Sequence, residues 1–307
     1  METFLGLEIG GTKLQLAAGD AHGKIHDRRR LPVARESGAA GIRGQIEQAL
    51  PQLIQQYRPA AIGVGFGGPV DSRNGRICRS HQIEGWSEFD LAGWLQSFSA
   101  MPAKVDNDAN VAALGEASHG AGRGGNPVFY VTLGSGVGGG LVVGGKIYHG
   151  ATPGEAEIGH ILLDRKGTTV ESRCSGWAVD ERIRDRARHE PGSSLGKLVQ
   201  ASPGNEARHL SAALRGGDAM AKRIVSETAE DLTFGLSHVV HLFHPEVIVL
   251  GGGLSKVGEP LRAAVADALA KFVMEAFAPG PQVVLSGLGE DAVPVGALML
   301  AADRGLD

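Results

Sequence analysis

Two Asp and two Asn crowd into five residues at Asp106-Asn107-Asp108-Ala109-Asn110, directly before a stretch of helical character. A helix N-terminus needs only one such side chain as its cap. The surplus points to chemistry, because a carboxylate held near a helix N-terminus stays ionised and can accept a proton from a hydroxyl. Asp108 is the candidate, with a cap as its ordinary reading. A second polar group, Glu155, Glu157 and His160, stands among glycines in P-G-E-A-E-I-G-H. Its three-residue spacing puts Glu157 and His160 on one face if the segment is helical. With only Cys174 nearby, that set suits hydrogen bonding to a polyol better than metal binding. A site built from such donors and acceptors discriminates because the wrong sugar leaves buried groups unpaired.

Three glycine turns, Gly10-Gly11-Thr12, Gly134-Ser135-Gly136 and Gly251-Gly252-Gly253, offer bare backbone N–H groups of the kind that cradle phosphate. One alone would read as a tight hairpin turn; three, two of them at matching places in a repeat, favour a nucleotide. The G-x-G-x-x-G run Gly134–Gly139 leads into strand-like Gly140-Leu141-Val142-Val143, where a dinucleotide fingerprint requires a helix. No G-x-x-x-x-G-K-S/T occurs. Rossmann oxidoreductases and Walker-type enzymes are therefore disfavoured.

The elements that must position these groups alternate between strand and helix. Residues 4–17 read as two strands joined through Gly10-Gly11, followed by a turn and Lys24-Ile25. A helix with a kink or break at Pro51 comes next, then a strand at 61–66, a helix around Leu91 to Phe98, a short strand 103–105 and a helix 109–118. After the Gly-rich stretch 120–127, a hinge candidate, residues 129–147 repeat the opening pattern of strand, glycine turn, strand and G-K-I. Helices near 178–188, 206–214, 218–243 and 259–277, strands at 246–250 and 282–285, and a closing helix 293–302 complete the chain. The expected organisation is a small α/β domain, 1–119, on which a closing helix 293–307 packs, and a larger α/β domain, 120–292, facing it across a cleft.

Composition sets limits on function. The 307 residues are 42% hydrophobic and 21% charged, with 30 basic against 34 acidic side chains, a globular balance with no electrostatic case for nucleic acid. No apolar run approaches a bilayer span, and the first residues lack a secretory leader. Two cysteines, Cys78 and Cys174, fit a reducing compartment and leave a structural zinc short of thiolates. A soluble cytoplasmic protein is expected.

Taken in order, E-I-G-G-T-K, V-D-N-D-A-N-x-x-A-L-G-E, T-L-G-S-G-V-G-G-G, G-E-x-E-I-G-H and V-L-G-G-G resemble the signature blocks of the ROK family of sugar kinases and sugar-sensing repressors. The resemblance implies the actin-like, ribonuclease-H-like two-domain fold with an interdomain cleft, and transfer of the γ-phosphate of ATP to a sugar hydroxyl, usually at carbon 6. It makes Asp108 the catalytic base and Gly68, His81, Asn107, Asp108, Glu157, His160 and Glu171 sugar contacts. Gly10, Gly11, Thr12, Lys13, Thr132, Gly134, Ser135 and Gly136 would hold phosphates, and Gly252 and Gly253 the adenosine side. A homodimer is the common family assembly.

Three departures stand out. Glu8 replaces the Asp of the family's opening D-I-G-G-T, a longer carboxylate that would have to reach Mg2+ through water. The family's zinc loop C-x-C-G-x-x-G-C has no counterpart in 164–173, although Glu171, Ser175 and Gly176 keep the E-x-x-x-S-G that follows it, so no zinc is expected. Gln82 stands where relatives often have Asn. The resulting expectation is an ATP- and Mg2+-dependent hexose kinase of glucokinase type. N-acetylhexosamine, mannose or fructose are the alternative acceptors, polyphosphate the alternative donor, and a non-catalytic sugar-sensing regulator the reading from another class. That last reading lacks a basic recognition helix ahead of the first glycine turn.

Overall fold

The computed structural model describes residues 2–80, 83–154 and 156–303. The chain divides into two compact units, one assembled from Met1–Gly124, Gly140–Glu155 and Gly287–Asp307, the other from Gly125–Gly139 and Ala156–Ser286.

In the first unit the chain forms β1 (Thr3–Ile9), β2 (Lys13–Asp20), β3 (Ile25–Pro32), α1 (Gly38–Tyr57), β4 (Ile62–Phe66) and the short strands β5 (Val70–Asp71), β6 (Arg76–Ile77) and β7 (Phe89–Asp90). These are followed by α2 (Leu91–Ser99), β8 (Ala103–Asn107) and α3 (Asp108–His119). The main sheet has the order β3-β2-β1-β4-β8, with β2 antiparallel to both β1 and β3, and with β1, β4 and β8 parallel. One face of its central strands is aliphatic, with Leu5, Leu7, Leu14, Leu16, Ile62 and Val64 all buried, while the other carries the small residues Gly6, Ala17 and Gly63, and Gly6 and Gly63 lie against the later helix at 292–302. Helix α1 supplies Ile42, Ile46, Leu50 and Leu53 to this core at helical spacing. The expected break at Pro51 does not occur. Pro51 lies on the exposed face while its neighbours Leu50 and Leu53 are anchored in the core, so the missing N–H falls on the water side and the helix runs through.

The second stretch of chain forms β9 (Val128–Leu133), β10 (Val137–Val143), β11 (Lys146–Ile147), α4 (Val170–Cys174), α5 (Gly176–His189), α6 (Ser194–Ala201) and α7 (Leu210–Arg215). It continues with α8 (Ala219–Phe243), β12 (Val247–Gly251), α9 (Glu259–Leu269), β13 (Gln282–Leu285) and α10 (Ala292–Ala302). The second sheet has the order β11-β10-β9-β12-β13, with β9, β12 and β13 parallel. That order repeats the first sheet position for position, which is the duplication read from the two glycine-turn blocks. The helix expected over 259–277 stops at Leu269. Leu261, Val265 and Leu269 enter the core, and no residue from 270 to 282 is buried, so nothing draws the chain into further helical turns.

Helix α10 packs on α3, β1 and β4 within the first unit. The approach is close because the contact is lined with small residues: a Cβ added to Gly296 would sit 1.7 Å from the carbonyl oxygen of Val111. Helix α3 is consequently buried along Ala109–Glu116 on all sides. This places the five-residue Asp/Asn cluster, at the junction of β8 and α3, on a rigid support.

Candidate active site

Asn107, not Asp108, is the cap of α3. Its Oδ1 accepts from the backbone N–H of Ala109 at 2.8 Å and of Asn110 at 3.4 Å, while its amide nitrogen donates to the carbonyl of Gly68 at 3.1 Å. The expectation that Asp108 caps the helix is corrected here: as the first helical residue its side chain has no capping geometry to satisfy. It lies beside the turn after β4, where a Cβ on Gly67 would be 3.3 Å from Asp108 Oδ2. Asp106 holds this junction from below. Buried at the end of β8, it accepts from the backbone N–H of Asn107 at 2.7 Å and from the Asn110 amide at 3.0 Å, and its other oxygen is 2.6 Å from His149 Nε2. Asp106, Asn107 and Asn110 thus build the junction, and Asp108 opens the helix beside the Gly67 turn. His149 escaped the sequence reading because only the fold brings residues 43 positions apart into contact.

At the first glycine turn, between β1 and β2, the Gly10 N–H donates to the Lys13 carbonyl at 2.8 Å, and the Arg35 guanidinium donates to the Gly11 carbonyl at 3.0 Å. Thr12 is exposed at its tip. Glu8, at the end of β1, bonds the Gln15 amide at 2.6 Å and pairs with Lys13 Nζ at 3.2 Å. Burial pushes the Glu8 carboxyl above its ordinary value, an effect that Lys13 and Gln15 partly offset. Of the sequence-predicted residues in the first unit, Glu8, Gly10, Gly11, Thr12, Gly68 and Asn107 stand at the ends of β1, β4 and β8 or in the turns that follow them, Lys13 opens β2 and Asp108 opens α3. His81 lies outside the described residues, as do Gln82 and Glu155.

In the second unit, Thr132 closes β9 and pairs in register with Gly251 at the end of β12. The turn Gly134-Ser135-Gly136 closes with Gly134 N–H donating to the Gly136 carbonyl at 3.0 Å. This turn is held from the side by the E-x-x-x-S-G segment. Glu171 Oε2 accepts from the Val137 N–H at 2.9 Å, Gly176 N–H donates to the Gly134 carbonyl at 2.7 Å, and Ser175 caps α5. A Cβ on Gly136 would meet Glu171 Oε2 at 2.5 Å, so a side chain there would push that carboxylate off the Val137 N–H. Gly252 has φ +81°, open to glycine, and its back is against the Leu133 backbone. With Gly253 it forms the turn after β12.

Glu157 and His160 flank a 3-10 turn, Ile158–His160, in which the His160 N–H donates to the Glu157 carbonyl at 3.0 Å. Ile158 is buried and both polar residues are exposed, at the two ends of this single turn. The segment that follows is the one expected to lack a zinc loop. It is a tight hairpin: Leu163 N–H donates to the Thr168 carbonyl, Val170 N–H to the Ile161 carbonyl, and Asp164 accepts from the Lys166 and Thr168 N–H groups and from the Thr168 hydroxyl. These bonds, the hydroxyl's first among them, hold the Asp164 carboxyl below its ordinary value. Cys174 faces the core, its thiol against the Thr228 carbonyl, and burial pushes its pKa up to about 12. Among the described residues, no three His, Cys, Asp or Glu side chains converge as a metal cluster, and no helix is long and apolar enough to cross a membrane.

The chain is similar throughout its length to characterised proteins. It is 31% identical to a glucokinase of Halalkalibacterium halodurans, covering 95% of this chain and 93% of that one. It is 28% identical to a glucokinase of Thermotoga maritima, covering 98% of each. Its fold superposes on a crystal structure of a ROK family glucokinase from Streptomyces griseus in complex with glucose and AMPPNP, with a TM-score of 0.86 and 31% identity over 98% of this chain and 99% of that one. Such neighbours have the two-domain actin-like, ribonuclease-H-like fold, which this chain shares. The ROK family model matches residues 4–304, and the chain therefore belongs to the ROK family.

Proposed function

We propose that this ROK-family sugar kinase transfers the γ-phosphoryl group of ATP to the 6-hydroxyl of a hexose, with glucose as the preferred acceptor and Asp108 as the base that takes the hydroxyl proton. The observation that carries the reading is the division of labour at the start of α3. Asn107 satisfies the helix N–H groups, so the Asp108 carboxylate is positioned by the helix yet spared its capping duty. The positive end of the helix attracts the negative charge of a carboxylate in its first turn. The Asn107 amide, tied to Gly68, holds the acceptor's neighbouring hydroxyls in register with the base. Glu157, His160 and Glu171 act as further hydroxyl partners.

Phosphoryl transfer asks for positioning and charge neutralisation more than covalent chemistry. The turns at Gly10–Lys13 and Gly134–Gly136 supply backbone N–H groups and one ammonium for the phosphates, and Gly252-Gly253 a bare surface for the nucleoside. Each Glu8 carboxylate oxygen uses one acceptor position, on Lys13 or Gln15, leaving another for a metal-bound water. A single carboxylate of this kind fits Mg2+, which keeps several waters and takes most of its remaining contacts from substrate phosphates. When bound, Mg2+ would neutralise charge on the phosphates, with Glu8 as its outer partner. A panel of hexoses and N-acetylhexosamines with ATP, and separately with polyphosphate, tests the assignment. Preferred turnover of a different hexose would move the acceptor and leave the reaction class standing, and polyphosphate turnover without ATP turnover would replace the donor.

A further inference from the structure

Glu8, Gln15 and Arg30 form a row across three strands. Glu8 on β1 stands directly opposite Gln15 on β2, and Gln15 directly opposite Arg30 on β3. The side chains follow the register: Arg30 Nε donates to Gln15 Oε1 at 3.1 Å, and Gln15 Nε2 donates to Glu8 Oε2 at 2.6 Å. The two charged ends dictate how the amide faces, carbonyl to guanidinium and NH2 to carboxylate. Gln15 is wholly buried, between Leu14 and Leu16, and is the one polar residue in the interior of a strand whose ends are Lys13 and Asp20. An amide there costs free energy unless paired, and an aliphatic side chain would meet the needs of the core alone. Its two bonds are the reason it is tolerated, one to Glu8 and the other from Arg30. Glu8 also carries one methylene more than the Asp of related glycine turns. The Gln15 bond ties that longer side chain across to β2.

We propose that Gln15, oriented by Arg30, is a positioning residue that fixes the Glu8 carboxylate beside the first glycine turn and so sets affinity for the magnesium nucleotide, with no part in gripping the sugar. This rests on Glu8 being the outer partner of Mg2+, as in the proposed function. Partners that orient a metal's ligands are typically worth ~10- to 100-fold in metal affinity.

The test is calorimetric titration of MgADP, of ADP in EDTA, and of glucose into the wild type, Gln15→Leu, Glu8→Ala and the double variant, with melting temperatures alongside. Gln15→Leu should weaken MgADP ~10-fold or more and leave metal-free ADP and glucose within about twofold of wild type. On the Glu8→Ala background the same change should add nothing, since it acts only through Glu8. MgADP binding equal to wild type, or additive losses in the double variant, would overturn the proposal, whatever the melting temperatures do. Should Gln15→Leu fail to fold, Arg30→Met on the more exposed outer strand decides: several-fold weaker MgADP binding supports the row, and unchanged binding refutes it. A wild type that binds MgADP separates failure of the positioning role from failure of the kinase reading. A wild type that binds none sinks both.

Discussion

Replacing Asp108 by Asn removes one charge and keeps the side chain's shape. Asn107 carries the cap, so the helix itself loses the favourable interaction of a first-turn carboxylate with its dipole, ~0.3–1 kcal/mol. For a protein of this size that is a fall in Tm of at most about 4 °C. The chemical cost is of another order. Loss of a general base typically lowers turnover ~10²- to 10⁴-fold, equivalent to ~2.7–5.5 kcal/mol in the barrier at 1.36 kcal/mol per tenfold. The asparagine can still hydrogen-bond a hydroxyl, so glucose affinity should change little. The assay is ADP release with saturating glucose and MgATP, with calorimetric glucose binding and Tm on the same preparations. A kcat within threefold of wild type would refute Asp108 as the base. A collapse in Tm would refute the assignment of the cap to Asn107 alone.

Glu171→Gln keeps an acceptor for the Val137 N–H and should raise KM for the sugar alone. Glu171→Ala leaves that N–H unpaired and should raise KM for both sugar and ATP, because the Gly134–Gly136 turn loses its anchor; equal effects of the two variants on both constants would contradict this. Gly296→Ala drives a methyl into the Val111 carbonyl and should destabilise by ~1–3 kcal/mol or more in urea unfolding, and an unchanged midpoint would show that α10 can shift away from α3. Cys174 ionises near pH 8.5 when unfolded and at about 12 when folded. The native state therefore binds the extra proton, and stability falls as pH rises above 8.5, by about 2 kcal/mol at pH 10. Cys174→Ala should flatten that decline, and a parallel decline in the variant would assign it to other groups. EDTA dialysis should leave Tm unchanged and metal analysis should find no stoichiometric zinc, since the 161–170 hairpin is held by Asp164 and its own backbone; one zinc per chain lost with stability would overturn that.

The parts of the fold that could be read in advance are those whose pattern is local. Glycine turns closing apolar strands, and the repeat of that pattern at residues 129–147, lead to two sheets of the same strand order. Helix α1 announces itself through Ile42, Ile46, Leu50 and Leu53. What stayed hidden depends on tertiary context. Helix α3 is surrounded, so its sequence has no polar face to mark its orientation. Strand β3, with Asp27, Arg28, Arg29 and Arg30, is a charged edge strand whose alternation is masked by snorkelling side chains. At the site, residue types pointed to Asn107 and Asp108 together, but which one caps depends on backbone angles that composition does not reveal. Gln15 carried a legible signal, a lone amide in an apolar strand, that acquires meaning only once the register sets it against Glu8.

The central claim is that this chain phosphorylates a hexose on its 6-hydroxyl at the expense of ATP. The direct measurement is 31P NMR of the purified protein incubated with glucose, ATP and Mg2+. The account predicts the resonance of a 6-phosphomonoester growing as the γ-phosphate signal of ATP disappears, in equal amounts and only when glucose is present. ATP left intact with glucose and with every other hexose and N-acetylhexosamine offered, or hydrolysed to inorganic phosphate at the same rate with and without sugar, would contradict it.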